Sequence, residues 1–273
     1  MGSLPTTMAR ILVIAGSDSS GGAGIQGDIK TIHAMGGYAA TAITALTAQN
    51  SLGVQAVLPV PADFLRQQIR AVVDDIGVDA IKTGMLHNAE LVQVVAEEIE
   101  RAQKIHHCSV VIDPVLVSGT GRLLLEIDAI DIMKTQLFPL ADLITPNIPE
   151  ALSLTNLPAS NSPYQLLAPL QQLKPRAVLL KGGHAAIQEI MPKIIVDYLQ
   201  EPHQLALFTH PYQYFPHNHG TGCALASAIA VGLAQGLPCY SACFAAINWL
   251  QYALKTAPAL GKGNGPINHA AVR

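Results

Sequence analysis

Charge is scarce in this 273-residue chain, at 13% of residues, and neither sign dominates: 16 lysines and arginines face 19 aspartates and glutamates, a net charge of −3. A disordered polyelectrolyte is thereby excluded, and no basic stripe exists to track a nucleic-acid backbone. An anionic ligand must be held by a few placed groups. Cysteines are equally few. Cys108, Cys223, Cys239 and Cys243 follow no secretory signal, and they read as reduced thiols of a cytoplasmic protein. Cys239 and Cys243, four apart, and the run His106-His107-Cys108 read as packing rather than as metal ligands. No apolar run is long enough for a bilayer: Cys223 to Leu237, broken by Ser227 and Gln235, reads as a buried helix. A Walker phosphate loop is missing too, because the glycine-rich segment Gly261 to Pro266 lacks its spacing.

What is present is alternation. Half of the residues are hydrophobic, enough for a sizeable core. Short apolar runs at Arg10–Gly16, Tyr38–Leu46, Asp79–Thr83, Ser109–Asp113, Asp142–Thr145 and Ala177–Lys181 predict buried strands. Segments of helical spacing separate them, at Gly24–Met35, Pro61–Ile76, Asn88–His106, Ile127–Leu137 and Pro149–Leu154. Ile194–Leu199 and Gln204–Phe208 read as a hairpin, and Thr221–Gln235 and Tyr240–Ala257 as closing helices. This order predicts one α/β unit over 10–273, with a mostly parallel sheet covered on both faces. Residues 1–9 read as a leader. Met1-Gly2 with Thr6 matches a minimal myristoylation pattern, but Pro5 and the strand beginning at Arg10 favour an unstructured leader.

Ligands of such sheets sit at the carboxyl ends of the strands. The polar residues there are Ser17-Asp18, Thr47, Gln49, Thr83 to Met85, Asp113, Asn147 and Lys181 to His184, and they are expected to share one rim. Four motifs lie on it. Gly16 to Asp28 contains Gly22, Gly24 and Gly27 at dinucleotide-fingerprint spacing. It is set too far from its strand, and no acidic residue follows at the required distance of about 20 positions. The reading left is a loop approaching a small ring, or simply a flexible helix entry. His219-Gly220-Thr221-Gly222-Cys223 opens an apolar helix whose free amides suit an anion. A thiol placed there, Cys223, is expected to have a lowered pKa, and to take a proton from a substrate hydroxyl or hydrogen-bond it. A helix cap with an inert cysteine is the plain alternative. Asp113, and Glu150 in Asn147-Ile148-Pro149-Glu150, suit a hydrated magnesium ion; Glu150 equally suits the first turn of its own helix. Lys181-Gly182-Gly183-His184 allows a phosphate to approach a cation, or is a turn into the hairpin.

Taken together, the motifs resemble the hydroxymethylpyrimidine/phosphomethylpyrimidine kinases of thiamine biosynthesis. The similarity rests on GSDSSGGAG (16–24), ITALTAQN (43–50), KTGM (82–85), DPV (113–115), TPNIPEA (145–151), LLKGGH (179–184), HGTGC (219–223) and GKGNGP (261–266). It implies a ribokinase-like three-layer α/β/α sandwich and a homodimer. It further implies phosphorylation of 4-amino-5-hydroxymethyl-2-methylpyrimidine, then of its monophosphate, with ATP and magnesium. The resemblance assigns Gln49 to the pyrimidine's amino and ring nitrogens, with Ala23, Thr47 and Met85 lining the ring and Asp28 near its polar edge. A carboxamide offers both a donor and an acceptor to such an edge. Cys223 would face the hydroxymethyl group, Gly220, Thr221 and Gly222 would form the anion hole, and Asp113 and Glu150 would hold the metal. Lys181, with Asn147 and Gly183, would meet the ATP phosphates. Departures from the family's pattern fall at Leu116–Gly121, where a lysine is missing, at His217-Asn218, and between His184 and Ile194. The Asn218-His219-Gly220 opening is similar to related kinases that act on pyridoxal. A pyridoxal kinase and a catalytically silent pyrimidine sensor are therefore the competing readings.

Overall fold

The computed structural model describes residues 8–117, 121, 123–159, 162–183 and 194–271. Most of the expected leader, part of the Leu116–Gly121 segment and all of 184–193, including His184, lie outside them.

Strand β1 (Arg10–Asp18) shows how the fold is built. Its core residues are apolar without interruption, and alternate side chains leave on opposite faces. Leu12 and Ile14 enter one hydrophobic core, whereas Ile11, Val13 and Ala15 enter another. The strand is therefore central, buried on both sides. Strands β2 (Tyr38–Asn50) and β3 (Gly53–Pro59) lie to one side of it. On the other lie β4 (Ala80–Thr83), β5 (Ser109–Ile112), β6 (Leu143–Ile144), β7 (Val178–Leu180), β8 (Ile194–Glu201) and β9 (Gln204–Pro211). Among the described residues the sheet has nine strands, in the order β3-β2-β1-β4-β5-β6-β7-β8-β9. From β2 to β7 the pairing is parallel; at the edges β3 pairs antiparallel with β2, β8 with β7 and β9 with β8.

Helices α1 (Gly24–Ala34), α7 (Thr221–Ala234) and α8 (Cys239–Lys255) cover one face. The other is covered by α2 (Ala62–Ala71), α3 (Ala89–Ile105), α4 (Ile127–Ile132), α5 (Ile148–Thr155) and α6 (Pro163–Gln171). Sequence cues start several of them. Asn88 caps α3 by accepting from the Leu91 amide at 3.0 Å. A reciprocal capping box between Asn147 and Glu150 starts α5. No helix among the described residues is long and apolar enough to cross a membrane.

Strand β3 and helix α6 are additions to the elements the sequence predicts. β3 returns beside β2 through a tight turn at Ser51-Leu52, and its register shifts opposite Gln49. This bulge marks the position where β2 turns a polar side chain toward the carboxyl edge. The connection after β1 leads to β2 on one side and that after β4 leads to β5 on the other, so the crevice between β1 and β4 is the topological switch point where α/β sheets place ligands.

Candidate active site

One cavity of about 790 Å³ opens at the carboxyl edge. Of the polar residues expected on the rim, Ser17, Asp18, Thr47, Gln49, Asp113, Asn147 and Lys181 line it. Met85 and Gly183 line it as well, while Thr83 is buried beneath the rim.

The glycine-rich loop after β1 is folded around Asp18. This carboxylate accepts from the Ser20 amide at 2.8 Å, the Ser20 hydroxyl at 2.7 Å and the Ala23 amide at 2.8 Å. His219 Nε2 lies 2.8 Å away. Burial pushes the Asp18 carboxyl up, but the bonds from His219, Ser20 and Ala23 outweigh it and hold the group at about 2. The loop then meets the start of α7 closely: a side chain at Gly220, whose φ is +86°, would overlap the Gly22 carbonyl. Glycine is required there on both counts.

No side chain among the described residues caps α7; the Asn218 carbonyl takes the Thr221 amide at 3.3 Å, and Gly222 and Cys223 line the cavity at the positive end of the helix dipole. Beside them sits an ion pair: Lys181 Nζ donates to Asp113 Oδ1 at 2.8 Å, and the Thr145 hydroxyl donates to the same oxygen at 3.0 Å. A methyl group at Gly222 would stand 3.4 Å from Lys181 Nζ and 3.6 Å from Asp113 Oδ2. The helix start, the cation and the carboxylate therefore converge on one point. Burial works against the Lys181 charge, but Asp113 and Glu150 keep its pKa raised. Glu150 receives the Asn147 amide at 2.8 Å while its own amide reaches Asn147 Oδ1 at 2.9 Å. Glu150 is thus a helix cap and a cavity residue at once, and burial, with Asp113 nearby, pushes it up to about 7.

Gln49, Thr47, Ala23 and Met85 line the same cavity and give it a partly apolar wall. Thr47 Oγ1 donates to the Ser17 carbonyl at 2.8 Å and lies 3.2 Å from Gln49 Oε1. Gln49 Nε2 lies 3.2 Å from His219 Nε2.

Two expectations need correction. Asp28 does not reach the cavity. It is fully buried, paired with Lys82 through both carboxylate oxygens at 2.9 Å, and receives the Ser227 hydroxyl at 2.7 Å. Burial opposes the Lys82 charge, yet Asp28, with Cys223 and Asp113 near, raises its pKa. Nor is Cys223 acidified. Burial pushes its thiol up to about 11; Lys82 pulls it down, while Asp28 and Asp113 push it further up. Desolvation and two carboxylates here outweigh a helix start. Asp18 is on the expected rim, but no role follows from the sequence for His219 or Lys82, although both stand in the motifs. A histidine directly before a glycine-capped helix was the available signal for His219.

The architecture is the ribokinase-like α/β fold, and its cavity is lined by Gln49, Lys181, Asp113 and the start of α7. The chain belongs to the phosphomethylpyrimidine kinase family, whose profile matches residues 18–268. It is 40% identical over 266 residues to the hydroxymethylpyrimidine/phosphomethylpyrimidine kinase of Bacillus subtilis, covering 97% of this chain and 96% of that one. It is 42% identical over 267 residues to a thiamine biosynthesis bifunctional protein of Geobacter sulfurreducens, covering 97% of this chain but only 53% of the relative. Among solved structures, the pyridoxal kinase of Staphylococcus aureus in complex with AMP-PCP and pyridoxal superposes with a TM-score of 0.85 at 29% identity, covering 97% of this chain and 95% of the other.

Proposed function

We propose that this protein transfers the terminal phosphoryl group of ATP to the hydroxymethyl oxygen of 4-amino-5-hydroxymethyl-2-methylpyrimidine, and then to the resulting monophosphate. The observation that carries this reading is the meeting of Lys181, Asp113 and the start of α7 at one point, in a cavity whose walls also hold Gln49, Asn147, Gly183 and Glu150.

The chemistry follows from the charges. Phosphoryl transfer develops negative charge on the equatorial oxygens and needs chiefly positioning and electrostatic stabilisation. The amides of Gly222 and Cys223 and the Lys181 ammonium supply fixed positive potential there. Asp113 Oδ2 faces the same point, and Glu150 lies on the same rim. Two carboxylates beside a phosphate site fit a magnesium ion that keeps most of its water, and these residues would hold it. Bound there, the metal would neutralise nucleotide phosphate charge. With its thiol protonated, Cys223 orients the acceptor hydroxyl by a hydrogen bond, and the hydroxyl proton passes to an oxygen of the arriving phosphoryl group as the new O–P bond forms and the bond to ADP breaks. A loose transition state permits this, because the acceptor needs little activation before the phosphoryl group has largely left ADP.

The pyrimidine is favoured over pyridoxal by Gln49, whose carboxamide matches an aminopyrimidine edge, and by about 40% identity to pyrimidine kinases along nearly the whole chain. ADP release is to be measured with magnesium and, in turn, the hydroxymethylpyrimidine, its monophosphate and pyridoxal. Turnover of both pyrimidines is expected. Turnover of pyridoxal alone would make the protein a pyridoxal kinase, and silence with all three would make it a sensor.

A further inference from the structure

The contacts around Gln49 contain a conflict whose resolution assigns a role to two other residues. His219 Nε2 stands 2.8 Å from Asp18 Oδ2 and 3.2 Å from the Gln49 amide nitrogen. Asp18 is surrounded by donors: the Ser20 amide and hydroxyl and the Ala23 amide all point at it. A carboxylate so held is an acceptor, and His219 Nε2 must carry the hydrogen between them. A nitrogen carrying a hydrogen cannot also receive one from an amide nitrogen.

The opposite end of the same carboxamide gives an independent constraint. The Thr47 hydroxyl has one hydrogen, and it is directed to the Ser17 carbonyl at 2.8 Å. What Thr47 Oγ1 offers Gln49, at 3.2 Å, is a lone pair. An amide oxygen there would face lone pair against lone pair. Turning the carboxamide by half a rotation relieves both: its nitrogen then donates to the Thr47 lone pair, and its oxygen, facing His219, shares as the longer of two acceptors the Nε2 hydrogen given to Asp18. Oxygen and nitrogen of a glutamine are distinguished only by such partners.

We propose that Asp18 and His219 are positioning residues that fix the tautomer of the imidazole and, with Thr47, lock the Gln49 carboxamide in one orientation, so that the site reads the order of donor and acceptor on its substrate's edge. Locked this way, the amide oxygen keeps a lone pair for an exocyclic amino group, and the nitrogen keeps a hydrogen for the adjacent ring nitrogen. An amide free to turn would present the reverse order half of the time, setting donor against donor. The device deepens the aminopyrimidine reading and rests on it for the identity of the ligand. The lock itself rests only on the contacts among Asp18, His219, Gln49 and Thr47.

Two measurements test it. Nitrogen-15 NMR of histidine-labelled, ligand-free protein reads the His219 ring directly. A hydrogen-bearing Nε2 is expected, and a bare, pyridine-like Nε2 overturns the proposal whatever the substrate is. The second is the ratio of kcat/KM for the aminopyrimidine to kcat/KM for its analogue lacking the amino group. In Asp18→Asn this ratio should fall by about tenfold or more, because the wild-type site rejects the analogue by leaving buried polar groups unpaired. Thr47→Val, which removes the lone pair at the other end, should lower it likewise and serves if Asp18→Asn does not fold. An unchanged ratio in a folded variant overturns the proposal. A wild-type protein that ignores the aminopyrimidine refutes the proposed function, and the ring-nitrogen experiment still decides the lock.

Discussion

Lys82→Met probes the ion pair buried under the site. The Lys82 and Asp28 side chains are both wholly inaccessible, joined by two contacts of 2.9 Å, with Ser227 adding a third bond at 2.7 Å. Methionine nearly matches lysine in volume, so packing is kept and the change isolates the charge. What remains is a carboxyl in a dry pocket with a single hydroxyl partner. Removing one member of a buried pair costs about 3–5 kcal/mol, and the carboxyl then neutralises rather than stay charged. For a chain of this size that corresponds to a fall in Tm of about 10 °C. Thermal unfolding followed by circular dichroism measures it. The double variant Lys82→Met with Asp28→Leu removes the stranded carboxyl and should recover most of the loss, since replacing a whole buried pair by apolar groups is often neutral. A single variant within about 1 kcal/mol of wild type, the scale of an exposed pair, would refute the reasoning, as would a double variant less stable than the single.

Other outcomes follow from the same geometry. With its thiol near 11, Cys223 should be alkylated by iodoacetamide at a rate that climbs through pH 9 without reaching a plateau; a plateau below pH 8 would restore an acidic thiol. Gly220→Ala places a methyl group on the Gly22 carbonyl at a φ of +86°, and kcat should drop by about 10²-fold, as when an oxyanion donor is displaced. Asp18, held at about 2 when folded against an ordinary value of 3.8, has a depressed pKa. Its contribution is present above pH 3.8 and is lost as pH falls through about 2. The difference is worth about 2.5 kcal/mol, so urea unfolding of Asp18→Asn should depend less on pH between 5 and 2 than that of wild type.

Strand ends and caps were legible because they rest on local rules. The apolar run of β1, the Asn88 cap and the rim of Asp18, Gln49, Asp113 and Lys181 follow from alternation and from where α/β sheets bind ligands. Helix α6 was equally open to reading: Ser162 and Gln165 form its capping box with Pro163 at the first position. Pro169 within it argues against a helix and masked the signal. Asp28 could have been placed correctly, because it shares a face of α1 with Ile25 and Ile32, both buried. The Cys223 pKa could not. Its value depends on burial and on Asp28 and Asp113, which come from distant parts of the chain. The Asp18–His219 contact joins residues 201 positions apart, and only the packing of the glycine-rich loop on α7 brings them together.

Phosphorus NMR of the protein with ATP, magnesium and 4-amino-5-hydroxymethyl-2-methylpyrimidine tests the central claim most directly. A new phosphomonoester resonance, replaced in time by the pair of resonances of a diphosphate ester as ADP accumulates, is the predicted result. ADP appearing together with inorganic phosphate alone, or no ADP while pyridoxal under the same conditions becomes a phosphomonoester, would contradict it.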